Sequence, residues 1–99
     1  MEKMIIHIPE DTVTYIEGLQ YDLGGLRDLI ARISEIKKEN NEELDSFWLQ
    51  NYLDKNLEYN YAKQELEKEY IKPLLVDISN YKWRLNFDSC EVIVEYEKI

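Results

Sequence analysis

The stretch YKWRLNFDSCEVIVEYE, residues 81–97, decides the fold. In its first half Trp83, Leu85 and Phe87 alternate with Lys82, Arg84 and Asn86. In its second half Cys90, Val92, Val94 and Tyr96 alternate with Glu91, Ile93, Glu95 and Glu97. Successive side chains of a strand point to opposite sides, so each half reads as a strand with one apolar face. A two-residue turn at Asp88-Ser89 would set Phe87 opposite Cys90, Leu85 opposite Val92 and Trp83 opposite Val94. The other face then sets Lys82 against Glu95, with Arg84 diagonal to Glu91 and Glu95, and such opposite charges favour this register. A slip of one residue would turn Trp83 and Phe87 into water, so the pattern specifies its own pairing.

A two-stranded hairpin is marginal alone and needs cover. Residues 3–8, KMIIHI, put Met4, Ile6 and Ile8 on one face of a short strand that Pro9 ends, because proline cannot donate to a ladder. The PEDT that begins at Pro9 has the composition of a helix start. Val13, Ile16, Leu19, Leu23, Leu26, Ile30, Ile33 and Ile36 then recur at threes and fours, the stripe of a helix over 12–38. Gly24 and Gly25 interrupt it, and a glycine pair there suggests a kink, a break or close approach of another backbone, of which close helix packing is favoured over a true break. A polar connection follows, with Asn40-Asn41 suited to a turn and Asp45 or Ser46 to a helix cap.

Trp48, Tyr52, Tyr59, Ala62, Leu66 and Tyr70 trace the stripe of a second helix over 46–72, which Pro73 stops. Leu49, Leu53, Leu57 and Tyr61 form a second row four residues apart, so its apolar arc is wider than one partner helix covers. The expected architecture is α+β, one domain over 1–99: a long helical hairpin packed on a small antiparallel sheet. That sheet joins the N-terminal strand to the β-hairpin at 81–97.

With 44% hydrophobic and 33% charged residues among 99, the chain is too apolar for a disordered tail, yet no stretch is apolar enough for a membrane span. Twenty-one acidic residues against twelve basic give a net charge of −9, which opposes nucleic acid and anionic membrane surfaces as partners. The same charge would suit an acidic inhibitor that mimics nucleic acid in a basic groove. The opening MEKMIIHIPED has too short an apolar run, and no small-residue cleavage site, for a signal peptide. With a single cysteine, this points to a cytoplasmic protein.

Residues that could carry chemistry are sparse. The three glycines, Gly18, Gly24 and Gly25, do not build a phosphate loop. His7 and Cys90, the only histidine and cysteine, are too few for a zinc or iron site. They could pair as nucleophile and base, but Cys90 falls on the hairpin's apolar face, where a free thiol behaves as a small hydrophobe. Carboxylate pairs such as Glu42/Glu43, Glu65/Glu69 and Glu91/Glu95 arise by chance in so acidic a chain. No catalytic residue, metal or cofactor is expected.

Eight tyrosines, two tryptophans and two phenylalanines exceed what a small core needs. We therefore assign partner binding to Trp48, Tyr52, Tyr59, Tyr61 and Tyr70, on or beside the second helix's arc. The expected partner is another protein or a second copy of the chain. An open sheet edge could also add an extended peptide as a further strand.

The segment WRLNFDSCEV, Trp83 to Val92, resembles the carboxyl-terminal end of small accessory proteins of CXXX-repeat peptide modification systems, in which a tryptophan precedes an N-F-x-x-C-E strand pair. Similar endings after two helices occur in small prophage proteins of Gram-positive bacteria. The first resemblance implies an auxiliary protein, without catalytic residues, beside a peptide-modifying enzyme. The second implies an assembly or virion-associated role.

Overall fold

The alternation at 81–97 folds into two antiparallel strands, β2 (Tyr81–Asn86) and β3 (Glu91–Tyr96). Trp83 pairs with Val94, Leu85 with Val92 and Lys82 with Glu95, the register its hydrophobic pattern dictates. The connection differs from the expected two-residue turn. It takes four residues, Phe87 to Cys90, and neither of these belongs to the ladder. Asn86 is the cause: its side-chain oxygen accepts the backbone N–H groups of Asp88 at 3.0 Å and Ser89 at 3.3 Å, an Asx turn that begins one residue early. Cys90 closes the loop at a left-handed φ of 54°. It therefore lies half-buried in the turn, its thiol 4.0 Å from the Phe87 carbonyl, and not on a strand face.

In this computed structural model, which describes residues 2–78 and 80–97, an N-terminal strand β1 (Glu2–His7) pairs antiparallel with β3. The sheet order is β1-β3-β2, so β3 is central and the other two are edges. The Ile8 N–H donates to the Cys90 carbonyl at 2.9 Å and carries the pairing one residue further. Two cross-sheet rows, Met4-Val94-Trp83 and Ile6-Val92-Leu85, make the inner face. Val92 and Val94 are wholly inaccessible. Two long helices, α1 (Glu10–Glu39) and α2 (Ser46–Leu66), complete the α+β fold as a helical hairpin.

The chain forms two compact units. Met1–Glu17 with Ala62–Ile99 make one, and Gly18–Tyr61 the other. In the first, the buried side chains are Ile6, Ile8, Val13, Ile16, Leu66, Ile71, Leu75, Val92 and Val94. Helix α1 starts where the Pro9 carbonyl accepts the Val13 N–H, with Glu10 and Asp11 placed against the positive end of the helix dipole.

The α-helical path expected to reach residue 72 ends at Leu66 and widens into a π-helical turn, Glu67–Ile71. Its carbonyl at Glu67 accepts the Lys72 N–H, and a 3-10 turn, Lys72–Leu74, then carries Pro73 out of the helix. Proline has no N–H to give and crowds the carbonyl four residues before it, so a continued α-helix is disfavoured there. The wider turn also brings residues five apart onto one side. Leu66 at 2% exposure and Ile71 at 0% are thereby buried together. An α-helix would turn them about 140° apart.

In the second unit, α1 ends in a Schellman motif. The Glu42 N–H reaches back to the Lys37 carbonyl at 2.7 Å and the Asn41 N–H to Lys38 at 3.2 Å, with Asn41 left-handed at φ 57°. A Lys37–Glu42 ion pair at 2.9 Å lies across the motif. Asp45 caps α2, its carboxylate accepting the Phe47 N–H at 3.0 Å. The expected close approach at Gly24 and Gly25 is absent: α1 runs through both without a break, and a Cβ on either would meet nothing within 4 Å. Leu19 and Leu23 are buried, while Ile36 is 58% exposed. Two consecutive steps of three, from Ile30 to Ile33 to Ile36, turn that side chain about 120° from the stripe.

Candidate functional site

Burial stops early in the second unit. From Gly24 to Tyr61 no residue is buried, and Leu26, Ile30, Ile33, Trp48, Tyr52 and Tyr59 are covered only in part. On α2 the row Leu49, Leu53, Leu57 and Tyr61 is 50%, 53%, 67% and 65% exposed. Residues four apart are neighbours on a helix surface, so these side chains form one continuous apolar ridge.

The ridge is nearly free of charge. Its three-apart neighbours include Ser46, Gln50, Asn56 and Asn60, all neutral. Carboxylates flank it at Asp54 and Glu58 along one border and at Asp45 and Glu65 one step beyond the ends of the row, and the two on the border are engaged within the helix. The Gln50 amide donates to Asp54 at 2.8 Å, and Lys55 lies 3.5 Å from Glu58. In a chain that is 33% charged, this strip stands apart from the rest of the surface.

Of the five residues assigned to partner binding, Tyr61 lies on the exposed ridge, whereas Trp48, Tyr52 and Tyr59 are half-buried on the same helix. Trp48 stacks edge-on against the 59%-exposed Phe47, ring centroids 5.5 Å apart. Tyr70 is half-buried in the π-helical turn of the other unit. The structure thus places four of the five on α2 and Tyr70 on the π-helical turn. The leucines of the ridge, read from the sequence as excess apolar arc, are the more exposed group.

A second feature was not read from the sequence. Glu67, Lys72, Leu75, Val76, Ile78, Tyr81 and Trp83 line an open groove of about 590 Å³ in the sheet-containing unit. The Trp83 indole N–H donates to the Glu67 carboxylate at 2.9 Å, and the same carboxylate acts on the Tyr81 phenol through its charge and through hydrogen bonding. Burial, the Glu67 charge and this hydrogen bond together raise the Tyr81 phenol above its ordinary pKa. Lys63 sits 5.6 Å from the Trp83 ring centroid, within cation–π range. In the sequence these residues belong to a lysine- and glutamate-rich helix face and to a strand. Pro73 after the charged run signals only that the helix stops.

Among the described residues no group of three or more histidine, cysteine, aspartate or glutamate side chains is placed to hold a metal ion. His7 lies 82% exposed, 3.8 Å from Glu91 across the β1–β3 pair. No helix among the described residues is long and apolar enough to cross a membrane. Compared with protein families, with curated proteins and with solved structures, the chain matches none.

Proposed function

We propose that the protein is a non-enzymatic interaction or assembly protein that binds another polypeptide through the outer face of α2. One observation carries this reading: the ridge Leu49, Leu53, Leu57 and Tyr61 lies bare on a segment without a single buried residue. Ordering a chain costs about 1–2 kcal/mol per residue in backbone entropy, which helices of ordinary composition recover mainly by burying an apolar face. A contiguous bare apolar ridge supports a contact surface, since the largest apolar patch of a protein is often its functional one. An accessory role beside a peptide-modifying enzyme or a part in phage assembly would both use such a surface. Tyr61 is the exposed aromatic of the contact, whereas Trp48, Tyr52 and Tyr59 are half-buried on the same helix.

The test is retrieval of a binding partner by the tagged chain from the organism that encodes it. Leu53→Glu/Leu57→Glu is expected to abolish retrieval while leaving the far-UV circular dichroism unchanged. Undiminished retrieval would overturn the reading. The net charge of −9 supports a second reading, an acidic inhibitor that blocks the basic groove of a nucleic-acid-binding protein. That complex would weaken steeply with salt, whereas a contact through the neutral ridge would not.

A further inference from the structure

We propose that the occupant of the α2 ridge is a second copy of this chain, the two helices packing ridge against ridge in a two-fold pair. This rests on the interaction surface proposed above and names its partner. Charge selects the partner. A basic polypeptide would be met through some of the chain's 21 carboxylates, yet none stands in the row from Leu49 to Tyr61 itself. Ser46, Gln50, Asn56 and Asn60 beside it are neutral, and carboxylates are confined to Asp54 and Glu58 on one border, the latter 3.5 Å from Lys55, and to Asp45 and Glu65 at the ends of the row. A neutral face is what an acidic body needs to approach another acidic body, and two copies at −9 each repel everywhere else.

Shape agrees with a self-pair, and size with a weak one. Four side chains this exposed present on the order of 400 Å² of surface, about half of one partner's share of a standard interface. The flanking amides enlarge the patch without adding charge. A two-fold interface uses the same patch on both copies, and a row of residues four apart is a ridge that fits the groove beside its own copy. Such a pair would also cover the helical segment on which no residue is buried.

Mass in solution tests this, measured by sedimentation equilibrium on the full chain over a wide concentration range. The wild type is expected to be a dimer that dissociates on dilution. Leu53→Glu/Leu57→Glu is expected to weaken the dimer on the order of a hundredfold with unchanged helicity. Ile5→Glu, which places a charge on an exposed apolar residue of the sheet, should leave the dimer intact. Added salt should tighten the pair several-fold, because it screens the repulsion between acidic copies while the contact itself is uncharged. A wild-type monomer at every concentration, or a dimer that survives Leu53→Glu/Leu57→Glu, would overturn the proposal. If the chain is monomeric but this variant still fails to retrieve another protein, self-pairing alone falls. If retrieval is also undiminished, the interaction surface falls with it.

Discussion

Among the described residues, two other than glycine hold left-handed backbone, Asn41 at φ 57° and Cys90 at φ 54°. Their reasons differ. Asn41 terminates α1, where the Schellman hydrogen bonds require this conformation and asparagine tolerates it better than most side chains. Asn41→Gly relieves the remaining strain and is expected to stabilise by up to about 1 kcal/mol, read as a higher urea midpoint with the same slope. Tyr81 offers a second prediction at this scale. Burial first, then the Glu67 charge and hydrogen bond, raise its phenol above the model-peptide value of about 10. The fold thus favours the neutral hydroxyl; that contribution is complete below the unfolded value and lost as pH rises through the folded one. The difference between tyrosinate titrations of the wild type and Tyr81→Phe should place this group above the other tyrosines. Introducing Glu67→Gln should bring it down, and no movement would show that the carboxylate has no hold on it.

Among the elements, α1 shows how a composition signal can mislead. Gly24-Gly25 reads as a place where another backbone comes near, but the space there is open and the helix continues. Each glycine then only weakens the helix, so Gly24→Ala and Gly25→Ala should each raise stability by about 1 kcal/mol in chemical denaturation. Had a backbone lain there, the added methyl would destabilise instead. The strands were legible because period-two alternation fixes both face and register, and Trp83 opposite Val94 follows from it directly. The end of α2 was not legible. Pro73 signals a stop, but whether the preceding turn tightens or widens depends on burying Leu66 and Ile71 together, which no local pattern records. The groove at Glu67 was hidden for the same reason. The bare ridge, by contrast, was readable as apolar residues in excess of what one partner helix can cover.

For the whole molecule, the uneven burial predicts uneven stability. Val92, Val94 and Ile71 are inaccessible, whereas residues 24–61 contain no buried side chain. Amide hydrogen exchange should therefore be slowest in β3 and fastest in the helical segment of a dilute sample. Protection along 46–61 should rise with protein concentration if copies cover the ridge, and equal protection at all concentrations would count against it. The strand order carries a further consequence. Because β1 closes onto the central β3, both helices lie inside a loop whose ends the sheet ties together. Lengthening such a loop costs little, about 0.6 kcal/mol per doubling for a flexible chain. Matched helical turns could be added to or removed from α1 and α2 while every strand keeps its partner, leaving the length of the helical hairpin free to vary in evolution.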